Sequence, residues 1–263
     1  MSAIGKVDSV WRYPVKSMRG EELQQVYIGF SGVYGDRLFA FKDASAMAGF
    51  PYLTGREEQE MLLYRPLFRN PDKAAMPLNL AEAEDLAPGV TPIFGDADEL
   101  GLDIETPSGE MLAIDDPALI KKLTARLEDK HDVSLLRCDR PMTDCRPVSL
   151  FSLQTTRQLG EEVDAVIDKR SFRANIYVDL AAADGFGEDK LIGKTVQIGS
   201  RVVLSILERD PRCQMITLDP DTGEANPKVL RAVARNHDGM AGTYGAVLVE
   251  GTVRPGDEIT LMS

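Results

Sequence analysis

Residues 201–223 read RVVLSILERDPRCQMITLDPDTG. Val202, Leu204 and Ile206 recur at every second position, the spacing that lines one face of a β-strand with apolar side chains. Asp210-Pro211 interrupts that strand, because proline has no N–H for a ladder. Cys213 then falls just past the strand's end, at a rim, and CQMITLD (residues 213–219) reads as a further strand. Outward from it the same pattern repeats. FRANIYVDL (172–180), KTVQIGS (194–200), YGAVLVEG (244–251) and DEITLMS (257–263) are short runs bounded by Gly and Asp. Near the N-terminus VDSVWRYPV (7–15), EELQQVYIGF (21–30) and DRLFAFKD (36–43) do likewise. ELGLDIETPSGEMLAID (99–115) is a hairpin turning at Pro107-Ser108-Gly109, and LTGREEQEMLLYRP (53–66) starts as a strand or a short helix.

Helices are fewer, and their starts are marked. Asp116 caps one with Pro117 at its first position and Leu119, Ile120, Leu123 and Leu127 as the apolar stripe. Ser152 caps a second with Leu153, Leu159 and Val163 inward, and Asn226-Pro227 opens a third with Val229, Leu230 and Val233 inward. So many short strands with so few helices cannot alternate as a βαβ repeat. The fold class is mainly β with covering helices (α+β), built on a mostly antiparallel β-barrel.

The chain has 263 residues and a formal net charge of −12, which argues against general binding to nucleic acid or an anionic membrane surface. No signal-peptide run and no bilayer-length apolar stretch is present, so a cytoplasmic protein is expected. Three cysteines (Cys138, Cys145, Cys213) without Cys-x-x-Cys spacing make neither a disulfide scaffold nor a structural zinc site. Two histidines leave little for a His-rich metal centre.

Against this acidic background, the chemistry-bearing residues are cationic. Arg209 and Arg212 lie close to Cys213 in sequence, and positive charge favours a thiolate. Thiolates attack electrophiles, carry sulfur or bind soft metals, and arginines fork onto phosphates. Lys16, Ser17 and Gly20 in one turn suit an oxyanion. Arg37 follows Asp36 at a strand start, where a structural ion pair is the plain alternative. Arg173 and Asn175 alternate on one predicted strand face and can line a polar cavity. Cys138 and Cys145 read as packing or surface thiols.

In this order YPVKSMRG, GVYGDRLFAF, LTGRE, RPVSLFSLQT, KRSFRANIYVD, LIGKTVQIGS, RDPRCQMITLDPDTG and YGAVLVEGTVRPGDEI resemble the MOSC-domain family over nearly the whole chain. The resemblance implies an N-terminal MOSC-associated β-barrel region over residues 1–115 and a MOSC domain over 116–263. It implies that Cys213 ligates molybdenum and that Lys16, Ser17, Arg37, Arg173 and Arg212 hold a molybdopterin and its phosphate. Ser152, Thr155 and Asn175 match polar positions near that cofactor. LTGREEQEML departs from the family pattern in lacking a proline soon after Arg56. Within the family the chain resembles the amidoxime-reducing component proteins, enzymes that reduce N-hydroxylated compounds. The implied reading is a molybdenum-cofactor oxidoreductase acting on N-hydroxylated or N-oxide small molecules. With no cysteine cluster for an iron–sulfur centre, its electrons come from a separate donor of ferredoxin or cytochrome type. A non-redox carrier of the molybdenum cofactor or of persulfide sulfur uses the same residues and is the alternative.

Overall fold

The structure is a computed structural model that describes residues 2–47, 49–86, 93–128, 131–181 and 184–262. Seven strands close into a barrel. In order around it they are Ala3–Arg12, Ile176–Leu180, Val148–Ser152, Met240–Val249, Val202–Pro211, Thr195–Ile198 and Glu258–Leu261, which returns to Ala3–Arg12. Val202, Leu204 and Ile206 are all fully buried inside it, packed with Val10, Ile176 and Ile198. The alternation seen in the sequence is therefore the inward face of a barrel strand.

Every barrel pairing is antiparallel except one. Val148–Ser152 runs parallel to Ile176–Leu180, with Leu150 opposite Ile176. Parallel neighbours need a long crossover, and the helix Leu153–Val163 with the 3-10 turn Lys169–Phe172 supplies it. Ser152 caps that helix as expected, its hydroxyl accepting from Thr155 N at 3.1 Å. Asp116 and Asn226 cap Pro117–Thr124 and Pro227–Asn236 in the same way.

Strands from the N-terminal half fall into small sheets. Phe39–Asp43 pairs with Val133–Arg137, and Val26–Gly29 pairs with Gly251–Val253. Arg65–Phe68, Leu102–Glu105 and Met111–Ala113 form a three-stranded sheet whose hairpin turns as read. A second core around Leu38, Phe41, Leu53, Met61, Leu119 and Leu123 packs beneath them. Residues 1–115 and 116–263 thus share hydrogen-bonded strands, beginning with Ala3–Arg12 in the barrel wall.

Three local expectations are corrected. CQMITLD is not a strand: Gln214–Thr217 forms a 3-10 turn, and Leu218 N donates to Met215 O at 3.2 Å. Its backbone groups close on themselves, so the β-branched pair Ile216-Thr217 misleads. The preceding strand is not broken ahead of Asp210-Pro211: it includes both residues, pairs Pro211 with Met240 after a register irregularity, and ends there, with Cys213 just past it. Bulges accommodate a residue that cannot donate. Arg173 and Asn175 precede their strand, which starts at Ile176. Arg173 instead caps the 3-10 turn in the left-handed region, at φ 54°. LTGREEQEMLLYRP holds a 3-10 turn over Gln59–Leu63.

Candidate functional site

A cleft of about 420 Å³ opens at the end of strand Val202–Pro211. That is the size of an ordinary small-molecule site. Lys16, Ser17, Arg37, Arg173, Asn175, Arg212 and Cys213 all line it, although they come from four separate parts of the sequence. Ser152 and Thr155 do not. Both are buried where the helix Leu153–Val163 leaves the barrel, and each donates a hydroxyl hydrogen bond to the buried Glu188 carboxylate. Nor does Arg209 reach the thiol: it pairs with Asp189 at 3.0 Å and Asp238 at 3.2 Å. Of the two arginines near Cys213 in sequence, only Arg212 shares its cleft.

The backbone is bent to make the site. Among the described residues six non-glycine residues have positive φ, and three of them, Ser17 (67°), Arg37 (43°) and Arg173 (54°), line the cleft. Such conformations are uncommon for side-chain-bearing residues and concentrate at functional sites. Each turns a polar side chain off its strand or turn and into the cavity.

The cations are held firmly. Lys16 Nζ donates to Met142 O at 2.9 Å and pairs with Asp144. Burial pushes its pKa down and Asp144 opposes the shift. Arg37 pairs with the fully buried Asp36, which also accepts Tyr13 N at 2.7 Å. Burial alone depresses the Arg37 pKa, but the Asp36 carboxylate more than offsets it and the guanidinium stays charged. The ion-pair and cleft readings of Arg37 are therefore both realised. Arg212 donates from Nε to Ala241 O (2.6 Å) and from Nη1 to Phe172 O (3.0 Å), and it pairs with Asp210 at 2.8 Å. Asn175 is tied to the barrel wall, accepting from Ser149 Oγ at 3.1 Å and donating to Trp11 O at 3.4 Å.

Two of the cleft's cations still keep a buried donor with no hydrogen-bond partner among the described residues, Arg212 at Nη2 beside its ion pair and Arg173 at Nη2. The Arg173 guanidinium lies 4.4 Å from the Tyr13 ring centroid. Burial is the main cause that lowers its pKa to about 10, and the Arg37 charge adds to it. A buried donor left unmet costs about 1–3 kcal/mol. Neither of the cleft's carboxylates, Asp144 and Asp210, is bonded to Arg173 Nη2.

Other lining residues carried no signal in the sequence. Arg56, Asp144, Cys145 and Arg146 reach the cleft from loops where no period marks them, and Tyr244 reaches it from within the strand Met240–Val249. Cys145 is an exposed thiol at the cleft rather than a packing residue, and it donates to Glu208 Oε1 at 3.4 Å. Burial first, then Glu208, raises its pKa. Asp210 is buried and accepts from the Tyr244 hydroxyl, and burial raises its pKa to about 6 despite Arg212.

Counted together, six cationic side chains (Lys16, Arg37, Arg56, Arg146, Arg173, Arg212) face two carboxylates (Asp144, Asp210). In a chain of net charge −12, that reversal makes the cleft anion-receptive. Cys213 is a free, half-buried thiol in the same space. Among the described residues no group of three or more His, Cys, Asp or Glu converges to hold a metal ion. A metal here would therefore need ligands brought by its own cofactor, with one protein thiolate. A phosphorylated dithiolene cofactor fits this donor set: soft sulfur for the metal, and the unmet Arg173 donor for an oxyanion. Among the described residues no helix is long and apolar enough to cross a membrane.

The chain is similar to known proteins along most of its length. The family model described as MOSC domain matches residues 138–260, and that described as MOSC N-terminal beta barrel domain matches residues 4–97. The mitochondrial amidoxime reducing component 2 of Bos taurus is 27% identical over 250 residues, covering 87% of this chain and 70% of that protein. The molybdenum cofactor sulfurase of Drosophila ananassae is 28% identical over 246 residues, covering 86% of this chain but only 30% of that longer protein. Among solved structures, the YUAD protein from Bacillus subtilis aligns over 97% of this chain and 93% of that one, at 14% identity and a TM-score of 0.48. With both family models matched along the chain and the strands closed into a barrel, this protein belongs to the MOSC-domain family.

Proposed function

We propose that the protein is a molybdenum-cofactor-binding oxidoreductase that reduces N-hydroxylated or N-oxide small molecules. The observation that carries this reading is the cleft that shows the Cys213 thiol and the unmet Arg173 guanidinium together. Its relatedness to proteins named amidoxime reducing component and molybdenum cofactor sulfurase supports it.

When bound, the cofactor supplies a redox metal on a dithiolene. Cys213 Sγ would be the protein's ligand to that metal. Arg173, Arg37, Arg212 and Lys16 would hold the phosphate and pterin, with Ser17 as a hydroxyl donor from the same turn. Charge-assisted bonds of this kind contribute about 1.5–3 kcal/mol each. Reducing an N-hydroxyl compound to the amine consumes two electrons and two protons and releases one water. The electrons would come from a separate donor protein of ferredoxin or cytochrome type. For the protons, Asp210 with its pKa of about 6 can be protonated near neutral pH, and the Tyr244 hydroxyl is bonded to it.

The test is chemical analysis of protein purified from a molybdenum-replete host. Wild type is expected to carry molybdenum and pterin, and Cys213→Ser to lose most of the molybdenum while keeping the fold. Wild type free of molybdenum, or Cys213→Ser with a full complement, would sink the assignment. A sulfur adduct on Cys213 in mass spectra of metal-free protein, with no turnover of a hydroxylamine by reduced viologen, would replace it with sulfur carriage.

A further inference from the structure

A second cleft of about 340 Å³ lies behind the first, and Arg173 lines both. Trp11, Arg19, Glu22, Arg65 and Arg170 also face it. Its cations are not equally available. Arg170 is consumed by Asp168 at 2.6 Å and Asp221 at 2.5 Å. The exposed Arg65 lies 3.4 Å from Glu105. Arg19 donates from Nη2 to Pro220 O at 3.1 Å and lies 3.3 Å from Asp221, which already pairs with Arg170, yet its Nε is buried and, among the described residues, has no hydrogen-bond partner. Nη2 of Arg173 is in the same state. Two guanidinium groups, 154 positions apart in the sequence and each with a buried unmet donor, therefore line one cavity. Buried donors are normally satisfied, and those of arginine suit the oxygens of an oxyanion.

We propose that this second cleft is a binding site for the phosphate group of a small anionic ligand, held between Arg19 and Arg173. Arg65 at the mouth adds long-range attraction. Glu22 in the lining opposes it, and Glu21, also in the lining, is paired with Arg12 at 2.8 Å, which limits the site to a single small anion rather than a polyanion. Arg173 lines both clefts, so a ligand here shares its guanidinium with the group proposed for the first cleft, and the titration below reads the second cleft by itself through Arg19 and Glu22, which line only that one.

Trp11 is the chain's one tryptophan and lines this cleft but not the first, which makes it a built-in reporter. The experiment titrates the purified full chain with inorganic phosphate at constant ionic strength and follows Trp11 fluorescence. A saturable change is expected. Arg19→Gln should weaken the apparent affinity about tenfold, the loss of one charge-assisted contact. Arg56→Gln, which alters only the first cleft, should leave it unchanged. Glu22→Gln should tighten it, and this exposed substitution decides the matter alone if Arg19→Gln does not fold. A linear response matched by chloride overturns the proposal. So does an Arg19→Gln protein that titrates like wild type, an Arg56→Gln protein weakened as much as Arg19→Gln, or a Glu22→Gln protein that binds more weakly.

Discussion

Replacing Gly242 by alanine tests whether the fold itself holds the Arg212 guanidinium in the cleft. Gly242 has φ +80°, and an added Cβ would lie 2.7 Å from Phe151 Cδ2, 2.9 Å from Arg212 Nη2 and 2.9 Å from Leu150 O. The Leu150 carbonyl belongs to a paired strand, with Leu150 opposite Thr243, so it has little room to retreat. Gly239 provides the control, since it has φ +77° but nothing within 4 Å of its added Cβ. Alanine at Gly239 therefore carries only the left-handed backbone penalty of about 1–2 kcal/mol. Alanine at Gly242 carries that penalty plus overpacking of about 1–3 kcal/mol. At about 2–4 °C per kcal/mol for a chain of this size, Gly242→Ala should melt roughly 2–12 °C below Gly239→Ala. Thermal melting followed by circular dichroism measures the difference. Because the new methyl group would displace Arg212 Nη2, Gly242→Ala should also lose molybdenum per folded chain, whereas Gly239→Ala should not. Two variants melting within about 1 °C of each other would refute the argument that this wall is rigid around Arg212.

Two further outcomes follow from the buried polar groups. Ser152→Ala removes a helix cap and one donor to the buried Glu188, and should destabilise the protein by about 1–3 kcal/mol in urea unfolding without lowering molybdenum per folded chain. A fall in metal content with unchanged stability would instead return Ser152 to the cofactor site. Asp210 has a folded pKa raised by burial to about 6, above its ordinary 3.8, so the folded state binds that proton more tightly. The stabilisation is full below about pH 3.8 and is lost as pH rises through about 6. Asp210→Asn should therefore flatten the melting temperature between pH 4 and pH 7 relative to wild type. An unchanged pH profile would show that Asp210 does not titrate in that range.

Much of the barrel was legible because its causes are local. The apolar period of Val202, Leu204 and Ile206, the caps at Asp116, Ser152 and Asn226, and the turn at Pro107-Ser108-Gly109 are written within a few residues each. The corrections arose where local signals compete with partners elsewhere. Ile216-Thr217 has strand-forming side chains, yet its backbone closes in a 3-10 turn after the strand ends at Pro211. Ser152 and Thr155 lie next to cleft-lining Ser149 in sequence, but the start of the crossover helix carries them to Glu188.

For the candidate site, the sequence alone determined the inventory: a thiol at Cys213, cations at Lys16, Arg37, Arg173 and Arg212, and an acidic chain in which they stand out. Only the tertiary structure decided which of them meet. Barrel closure through Ala3–Arg12 brings the turn with Lys16 and Ser17 to Cys213, while Arg209 turns away to Asp189 and Asp238. It also decided that Cys145 and Arg56 share the cleft, and that Arg173 faces two cavities with a donor unmet. Periodicity reports which face of its own element a side chain takes. Burial, desolvation and hydrogen-bond satisfaction depend on neighbours more than a hundred residues away, and no local pattern encodes those.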